Sequence, residues 1–180
     1  MEAMFRDLKA DEIDVRIASV KINGLSLLLY KDARVDMDIL DETIGPKNWQ
    51  RKHSRDNANC IIEIWDNEKQ QWISKEDTGV ESFTQKEKGL ASDSFKRAGF
   101  NWGIGRELYT APFIWVTNKN AQIQDSKRKD KNGNIIYTCN DKFIVEKIQI
   151  TNKEITGLAI YNETLKQRAF VYAKNNSETK

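Results

Sequence analysis

The sequence predicts an α+β fold with an antiparallel sheet, which includes a three-stranded meander, and with two helices. Three observations carry this prediction: apolar residues alternate at period two, they recur at helical spacing in two separate segments, and turn signals divide the strand-like segments. The resulting order is strands, helix, strands, helix, strands, which is typical of an α+β domain. Residues 1–174 are predicted to form one domain, and residues 175–180 a disordered tail.

The first elements are predicted to be a β-hairpin and an amphipathic helix. Residues 13–19 alternate as a half-buried strand does, and Asn23-Gly24 is a strong hairpin turn signal, so residues 25–30 form the return strand. An apolar stripe at helical spacing follows and ends before Gly45-Pro46: Ala33, Met37, Leu40 and Ile44.

Three strand-like segments and a second helix come next. Residues 49–55, 60–65 and 70–76 are separated by polar turns, which predicts the meander. Thr84 and Glu87 form a Thr-x-x-Glu capping box, which predicts a helix that runs to about Ala98, where Gly99 begins to loosen it.

The last part of the chain is predicted to consist of strands around one lysine-rich loop. Residues 119–134, which include Lys127 to Lys131 and close with Asn132-Gly133, are polar and are interpreted as a flexible loop. The remaining strand-like segments are residues 109–116, 143–150, 154–161 and 165–173, of which the last fits a strand or a short helix.

Charge is unevenly distributed along a chain whose net charge is only +2. Residues 86–131 hold ten Lys and Arg against five Asp and Glu, whereas residues 1–85 hold twelve against seventeen. A basic segment on a near-neutral chain suits a localised groove for anions. A solvated basic surface without a partner is the competing interpretation.

Several classes of protein are disfavoured by the composition. No apolar run approaches the roughly 18 residues of a membrane span, and the N-terminus lacks the basic and apolar regions of a signal peptide. Cys60 and Cys139 are isolated and are interpreted as reduced thiols. We therefore expect a cytoplasmic protein that contacts no membrane.

The sequence contains no well-supported catalytic or cofactor-binding motif. Gly103-Ile-Gly105 follows a helix and lacks the third glycine of a dinucleotide-binding loop, so it is interpreted as a structural turn. His53 is the single histidine, which leaves no zinc spacing, and it is interpreted as a surface residue on a strand. A metal-dependent nuclease built on Glu76 and Asp77 remains an alternative. Otherwise we expect no enzyme, no metal and no cofactor.

The second helix carries two different stripes. Ala91, Phe95, Ala98 and Trp102 form an apolar one that faces the core. Lys88, Ser92 and Lys96 form a second one, with Arg97 beside it. Cations one helical turn apart can follow a phosphate backbone.

Aromatic residues follow the basic helix. Arg106 comes just after the glycine turn, and Tyr109 and Trp115 lie beyond it. Basic residues interleaved with aromatic ones suit single-stranded nucleic acid. An amphipathic helix with ordinary surface lysines explains the same residues, and the pattern alone does not separate the two interpretations.

An ordered set of short motifs adds a resemblance. Lys88-x-x-Ala-x-Asp-x-x-Lys-Arg-Ala98 is followed by Trp102-Gly-Ile-Gly-Arg-Glu-Leu-Tyr109, and upstream lie Leu29-Tyr-Lys-Asp-Ala-Arg-Val35, Gly45-Pro-Lys-Asn-Trp49 and Glu76-Asp-Thr-Gly79. Together, over about residues 12–115, they resemble the Rad fifty-two family of single-strand annealing proteins, in particular its short phage and prophage members.

The resemblance implies a β-β-β-α core, in which the antiparallel meander packs against a long helix with hairpins on either side. It also implies assembly into a ring or filament with a basic outer groove. Single-stranded DNA would lie there with its phosphates inward, and complementary strands would anneal without ATP in recombination or repair. By position, the cations of the groove fall on Arg34, Lys88, Lys96 and Arg97. Arg106 is added from its charge and location.

The resemblance also implies partners and leaves parts of the chain unmatched. Further copies of the chain, a single-strand-binding protein or a phage exonuclease are the candidate partners, in a bacterial cell or encoded by a phage. Residues 127–131 and 135–173 match nothing in the family, and the long recombinase-recruiting region of the eukaryotic members has no counterpart. A nucleic-acid-binding accessory protein without annealing activity is the main alternative.

Overall fold

The structure is a computed structural model that describes residues 5–80 and 86–174, without the side chains of residues 86–88. It confirms an α+β fold with mostly antiparallel strands and two α-helices in the described part of the chain. In chain order the helices and strands are β1 (Asp14–Lys21), β2 (Gly24–Tyr30), α1 (Ala33–Ile44), β3 (Trp49–Ser54), β4 (Asn59–Asp66), β5 (Gln71–Thr78), α2 (Lys86–Trp102), β6 (Ile114–Thr117), β7 (Gln124–Lys129), β8 (Ile135–Thr138), β9 (Phe143–Thr151), β10 (Glu154–Asn162) and β11 (Gln167–Ala173).

The chain divides into two compact units, each made of segments that are separated in sequence. As far as they are described, unit 1 comprises the chain up to Asp7 together with residues 32–106, and unit 2 comprises residues 8–31 and 107–174. This division does not decide whether residues 1–174 act as one functional domain, which stays a prediction. The predicted tail at 175–180 lies outside the described residues. No helix in the described part of the chain is both long and apolar enough to cross a membrane.

Unit 1 contains the predicted meander, in the strand order β3-β4-β5. Helix α2 packs against β4 and β5, and Phe95 and Ala98 are fully buried there. The helix has 17 residues, so the prediction of a long helix is wrong.

Helix α1 has the predicted ends but a different buried stripe. The Asp32 side chain accepts the backbone N–H of Arg34 at 2.8 Å, and Gly45 follows the last turn with a φ of 84°. Ile39 and Leu40 are fully buried, whereas Ala33, Met37 and Ile44 are only half-buried. The predicted stripe therefore lies to one side of the buried one, because the pattern chosen from the sequence omitted Ile39.

Helix α2 also continues beyond its predicted end near Ala98, as far as Trp102. A glycine inside a helix costs about 1 kcal/mol relative to alanine, and the buried contacts of the neighbouring turns outweigh that cost at Gly99. The helix ends where Gly103 adopts a φ of 97°. Thr84 of the predicted capping box lies outside the described residues.

Unit 2 contains a six-stranded antiparallel sheet in the order β11-β10-β9-β1-β2-β6. Both predicted hairpins are confirmed: β1 turns into β2 through Ile22 and Asn23, and β9 turns into β10 through Asn152 and Lys153, which have φ values of 52° and 61°. The last segment is a strand, β11. The core of the unit includes Leu25, Leu27, Ile114, Val116, Ile155, Leu158 and Ile160.

Two predictions in unit 2 are wrong. Residues 109–116 are not one strand, because a 3-10 helix occupies Arg106–Thr110 and β6 begins only at Ile114. Pro112 lies between them, and proline has no N–H to give to a sheet. Residues 119–134 are not a flexible loop, because β7 and β8 pair as a hairpin that turns at Asn132-Gly133.

Candidate nucleic-acid interface

A cleft of about 310 Å³ lies in unit 1, between the first turn of α1, strand β3 and helix α2. It brings together side chains that are far apart in sequence, so its formation depends on the fold of the unit. Its lining includes Asp32, Arg34, Arg51, His53, Ala91 and Ser92.

Strand β3 supplies one wall of this cleft, because alternate residues of a strand share a face. Trp49 stacks on Phe95 with ring centroids 6.2 Å apart, and the Arg51 guanidinium carbon lies 4.9 Å from the centroid of the same Phe95 ring. The His53 Nδ1 lies 3.5 Å from the Ser94 hydroxyl oxygen. The buried Phe95 ring therefore supports the Arg51 cation at the cleft wall through a cation–π contact.

His53 is half-buried and not the surface residue that the sequence analysis expected. Its pKa is lowered from the ordinary value, mainly because burial removes water from the ring and secondly because Arg51 is close. A hydrogen bond with the backbone at Asn59 opposes this shift. His53 is therefore a neutral hydrogen-bonding group near pH 7, and it gains a positive charge as the pH falls.

Arg34 reaches the cleft from the first turn of α1. Its side chain is 85% exposed, and its Nε lies 3.5 Å from Asp32 Oδ1. Exposed ion pairs of this kind contribute little to stability and are readily exchanged. Arg34 can therefore turn toward an incoming anion at small cost.

Lys96 and Lys88 flank the cleft residue Ser92, one helical turn away on either side. Lys96 is half-buried, and no hydrogen bond or ion pair joins its side chain to another described residue. The side chain of Lys88 is outside the described part of the structure. Because residues four apart share a helix face, Lys96 lies on the same face of α2 as Ser92.

Arg97 forms an ion pair with Asp93 within α2. Its Nε donates to Asp93 Oδ2 at 2.8 Å, and the same oxygen accepts the backbone N–H of Val80 at 2.8 Å. Asp93 thereby ties the end of β5 to α2, and Arg97 neutralises the carboxylate that makes this link. Arg97 does not line the cleft.

Arg106 lies elsewhere in unit 1. Its guanidinium donates to the backbone oxygens of Phe100 at 2.6 Å and Asn101 at 2.9 Å, which caps the C-terminal end of α2. Arg106 lines a different cleft, of about 700 Å³, together with Trp65 and Trp102. Among the predicted cations whose side chains are described, Arg34 alone lines the cleft; Lys96 lies one helical turn from Ser92 but, like Arg97 and Arg106, does not line it.

Comparison with protein-family models, curated proteins and solved structures adds no relative. None of them matches this chain. The case for a function therefore rests on the residues of the chain and on the ordered motifs in its sequence.

Arg51 is the cleft cation that the sequence analysis missed. It belongs to the net-acidic first part of the chain, where charge counting gave no reason to select it. A signal was nevertheless present, because Trp49, Arg51 and His53 alternate on one face of a predicted strand. A tryptophan on a strand face packs against a neighbouring element of the fold. Residues at every second position share that face, so Arg51 and His53 lie beside the same contact.

The carboxylates suggested for a nuclease have structural partners. Glu76 accepts the Asn59 amide at 2.6 Å, and Asp77 accepts the Asn101 amide at 3.2 Å. Among the described residues, no three His, Cys, Asp or Glu side chains gather as a metal site would require. Both cysteines are free thiols, and burial raises the pKa of Cys60 to about 11.

Proposed function

We propose that this protein binds single-stranded DNA in the cleft of unit 1 and anneals complementary strands without ATP, as a ring or filament of identical subunits. Support comes from the family resemblance over about residues 12–115 and from the cations that the fold gathers. The observation that carries the proposal is the position of Arg51, which rests on buried Phe95 in the same cleft as Arg34.

The proposed function requires DNA binding and no catalytic step. Phosphate neutralisation by lysine and arginine releases counterions, so affinity falls steeply with salt and does not depend on base sequence. A guanidinium that is already supported by an aromatic ring loses less freedom when it binds a phosphate. Contacts to phosphates leave base edges free to sample a second strand, which is what annealing needs.

The binding step is tested with Arg51→Ala combined with Lys96→Ala. We expect about tenfold weaker binding of a fluorescent oligo-dT by anisotropy. Each lost phosphate contact should also lower the slope of log affinity against log salt by about 0.7. The matched control is Lys47→Ala with Lys52→Ala, which removes the same charge; Lys52 follows Arg51 on β3 and pairs with Glu63 at 2.7 Å. Equal losses in the two double variants would remove the cleft from the proposal.

The annealing step needs its own assay. Complementary oligonucleotides labelled as a fluorescence donor and acceptor should anneal faster with the protein than without it, in the absence of ATP. Binding without faster annealing would favour the accessory-protein alternative. Magnesium-dependent cleavage that disappears in Glu76→Gln would favour the nuclease.

A further inference from the structure

The hairpin of β7 and β8 in unit 2 is the most concentrated patch of positive charge in the described part of the chain that the proposed function does not use. Every residue from 127 to 136 is exposed. Four cations lie within five consecutive positions: Lys127, Arg128, Lys129 and Lys131.

The tip of this hairpin is held by one carboxylate. Asp130 Oδ1 accepts the backbone N–H groups of Asn132 at 2.8 Å and Asn134 at 2.9 Å, and Oδ2 accepts the Asn134 amide at 3.1 Å. These bonds lower the pKa of Asp130, the bonds from Asn134 contributing most. Both carboxylate oxygens of Asp130 are therefore hydrogen-bonded within the turn. The neighbouring cations lie on a backbone that these bonds order.

A β-bulge lies within the run of cations on β7. Pairing shifts register between Asp125 and Lys129, and Lys127 has a φ of 61°. The bulge is fixed by Asp125, which accepts the Lys127 N–H at 2.7 Å, and by Ser126, which accepts the Arg128 N–H at 3.3 Å. Bulges commonly re-aim side chains.

We propose that this hairpin binds double-stranded DNA, with its cations on the phosphates that border the major groove. A two-stranded β-ribbon fits the major groove of B-form DNA. Tyr137, the aromatic residue of the hairpin, is half-buried opposite Asp125, and the exposed residues 127–136 offer no stacking platform of the kind that single-stranded DNA favours. Ile135 and Ile136, which are 46% and 37% exposed, give the ribbon apolar contacts for sugars and thymine methyl groups.

This inference does not depend on the cleft of unit 1, because every residue that carries it belongs to unit 2. If both hold, the protein has separate sites for the substrate and the product of annealing. The two proposals can therefore fail independently.

The test uses the full chain with Arg128→Ala, Lys129→Ala and Lys131→Ala combined, which leaves the bulge and Asp130 in place. We expect the affinity for a labelled blunt duplex DNA to fall about tenfold or more, and the salt slope to fall by about 2.7 for three contacts. Binding of oligo-dT should change less than twofold. The matched control combines Lys119→Ala, Lys142→Ala and Lys147→Ala, three exposed lysines elsewhere in unit 2, and should keep duplex affinity.

Three outcomes would overturn the inference. One is unchanged duplex affinity in the hairpin variant, and another is an equal loss in the control variant. The third is loss of binding to anionic phospholipid vesicles or to polyglutamate while duplex binding persists, which would assign the hairpin to a membrane or an acidic protein.

Two further probes separate the claims. Double-stranded RNA of the same sequence should depend less on the hairpin, because its deep, narrow major groove excludes a ribbon; equal dependence would overturn the groove assignment. The Arg51→Ala, Lys96→Ala variant should lose oligo-dT and keep the duplex. If that variant keeps oligo-dT while the hairpin variant loses the duplex, the cleft proposal fails and the hairpin inference stands.

Discussion

Arg51 differs from Arg97 in what holds its guanidinium. Beneath Arg51 lies the ring of Phe95, an uncharged support that leaves the cation its full charge for a ligand. Arg97 is instead paired with Asp93, and this ion pair must break before Arg97 can bind a phosphate. At the scale of single residues, the ring-supported cation is therefore the better candidate for DNA contact.

Arg97 and Asp93 can be compared by substitution. Arg97→Ala removes an i,i+4 pair that is partly exposed, and we expect a loss of about 0.3–0.5 kcal/mol in the free energy of unfolding. Asp93→Ala also leaves the Val80 N–H without its acceptor, so its cost should be larger, about 1–3 kcal/mol. Urea denaturation measures both values. A cost for Asp93→Ala no larger than that of Arg97→Ala would contradict this prediction.

His53 predicts a pH dependence of stability. Because its pKa is lowered in the fold, the unfolded chain takes up a proton at a higher pH than the folded chain does. The contribution of His53 to the free energy of unfolding is fully present above its pKa in the unfolded chain, about 6.5. This contribution is lost as the pH falls through the lowered pKa of His53 in the folded chain. Urea denaturation between pH 7.5 and pH 5 should show a steeper loss for the wild type than for His53→Gln. Equal slopes would contradict the shift.

The same histidine should have the opposite effect on DNA binding. Arg34, Arg51 and Asp32 are the charged groups that line the cleft with it, and a bound phosphate would add a negative charge. That charge favours the protonated imidazole. Affinity for oligo-dT should therefore rise as the pH falls over this range, relative to His53→Gln.

At the scale of elements, local signals predicted the turns and most of the strands, and tertiary contacts decided the rest. The β1–β2 hairpin and the end of α1 follow from Asn23-Gly24 and Gly45-Pro46, whose backbone preferences act locally. The extent of α2 depends on the burial of Phe95 and Ala98, which no local preference at Gly99 reveals. The β7–β8 hairpin was missed because a run of lysines was read as solvated, although the Asp130 turn orders it.

The candidate site was predictable to a similar degree. Arg34 and Lys96 came from ordered motifs; Arg34 lines the cleft, whereas Lys96 lies one helical turn from the lining residue Ser92. Arg51 and His53 enter through the packing of β3 on α2, which depends on which face of the strand meets the helix. Arg106 was selected from its charge, and its position at the end of α2 gives it a capping role that charge does not reveal.

Gly79 controls the contact between β5 and α2. A Cβ at this position would lie 2.7 Å from the Ser94 backbone N and 2.9 Å from the Leu90 backbone O, both atoms of the α2 backbone. Gly79→Ala must therefore displace the helix, and we expect a loss of about 1–3 kcal/mol on thermal or urea unfolding together with weaker oligo-dT binding.

Gly133→Ala is the comparison for this prediction. Its φ is 82° and a Cβ there would meet no atom within 4 Å, so its cost is conformational, about 1–2 kcal/mol. It should leave oligo-dT binding unchanged. If Gly79→Ala also left oligo-dT binding unchanged, the position of α2 against the meander would not matter to the cleft.

At the scale of the whole molecule, the resemblance predicts assembly. Negative-stain images of the purified protein should contain rings or filaments, and single-stranded DNA should change their number or length. Light scattering gives an independent mass. A particle that stays monomeric at micromolar concentration with and without single-stranded DNA would contradict the assembly and with it the annealing mechanism that needs a continuous groove.

The strand order of unit 2 has a consequence for folding. Strands β2 and β6 are neighbours, with Leu27 opposite Ile114, although the whole of residues 32–106 lies between them in the chain. The ladder between them cannot form on the ribosome until that long excursion has been synthesised. Pairing between strands that are so far apart in sequence is slow to form. The excursion therefore delays the completion of the sheet.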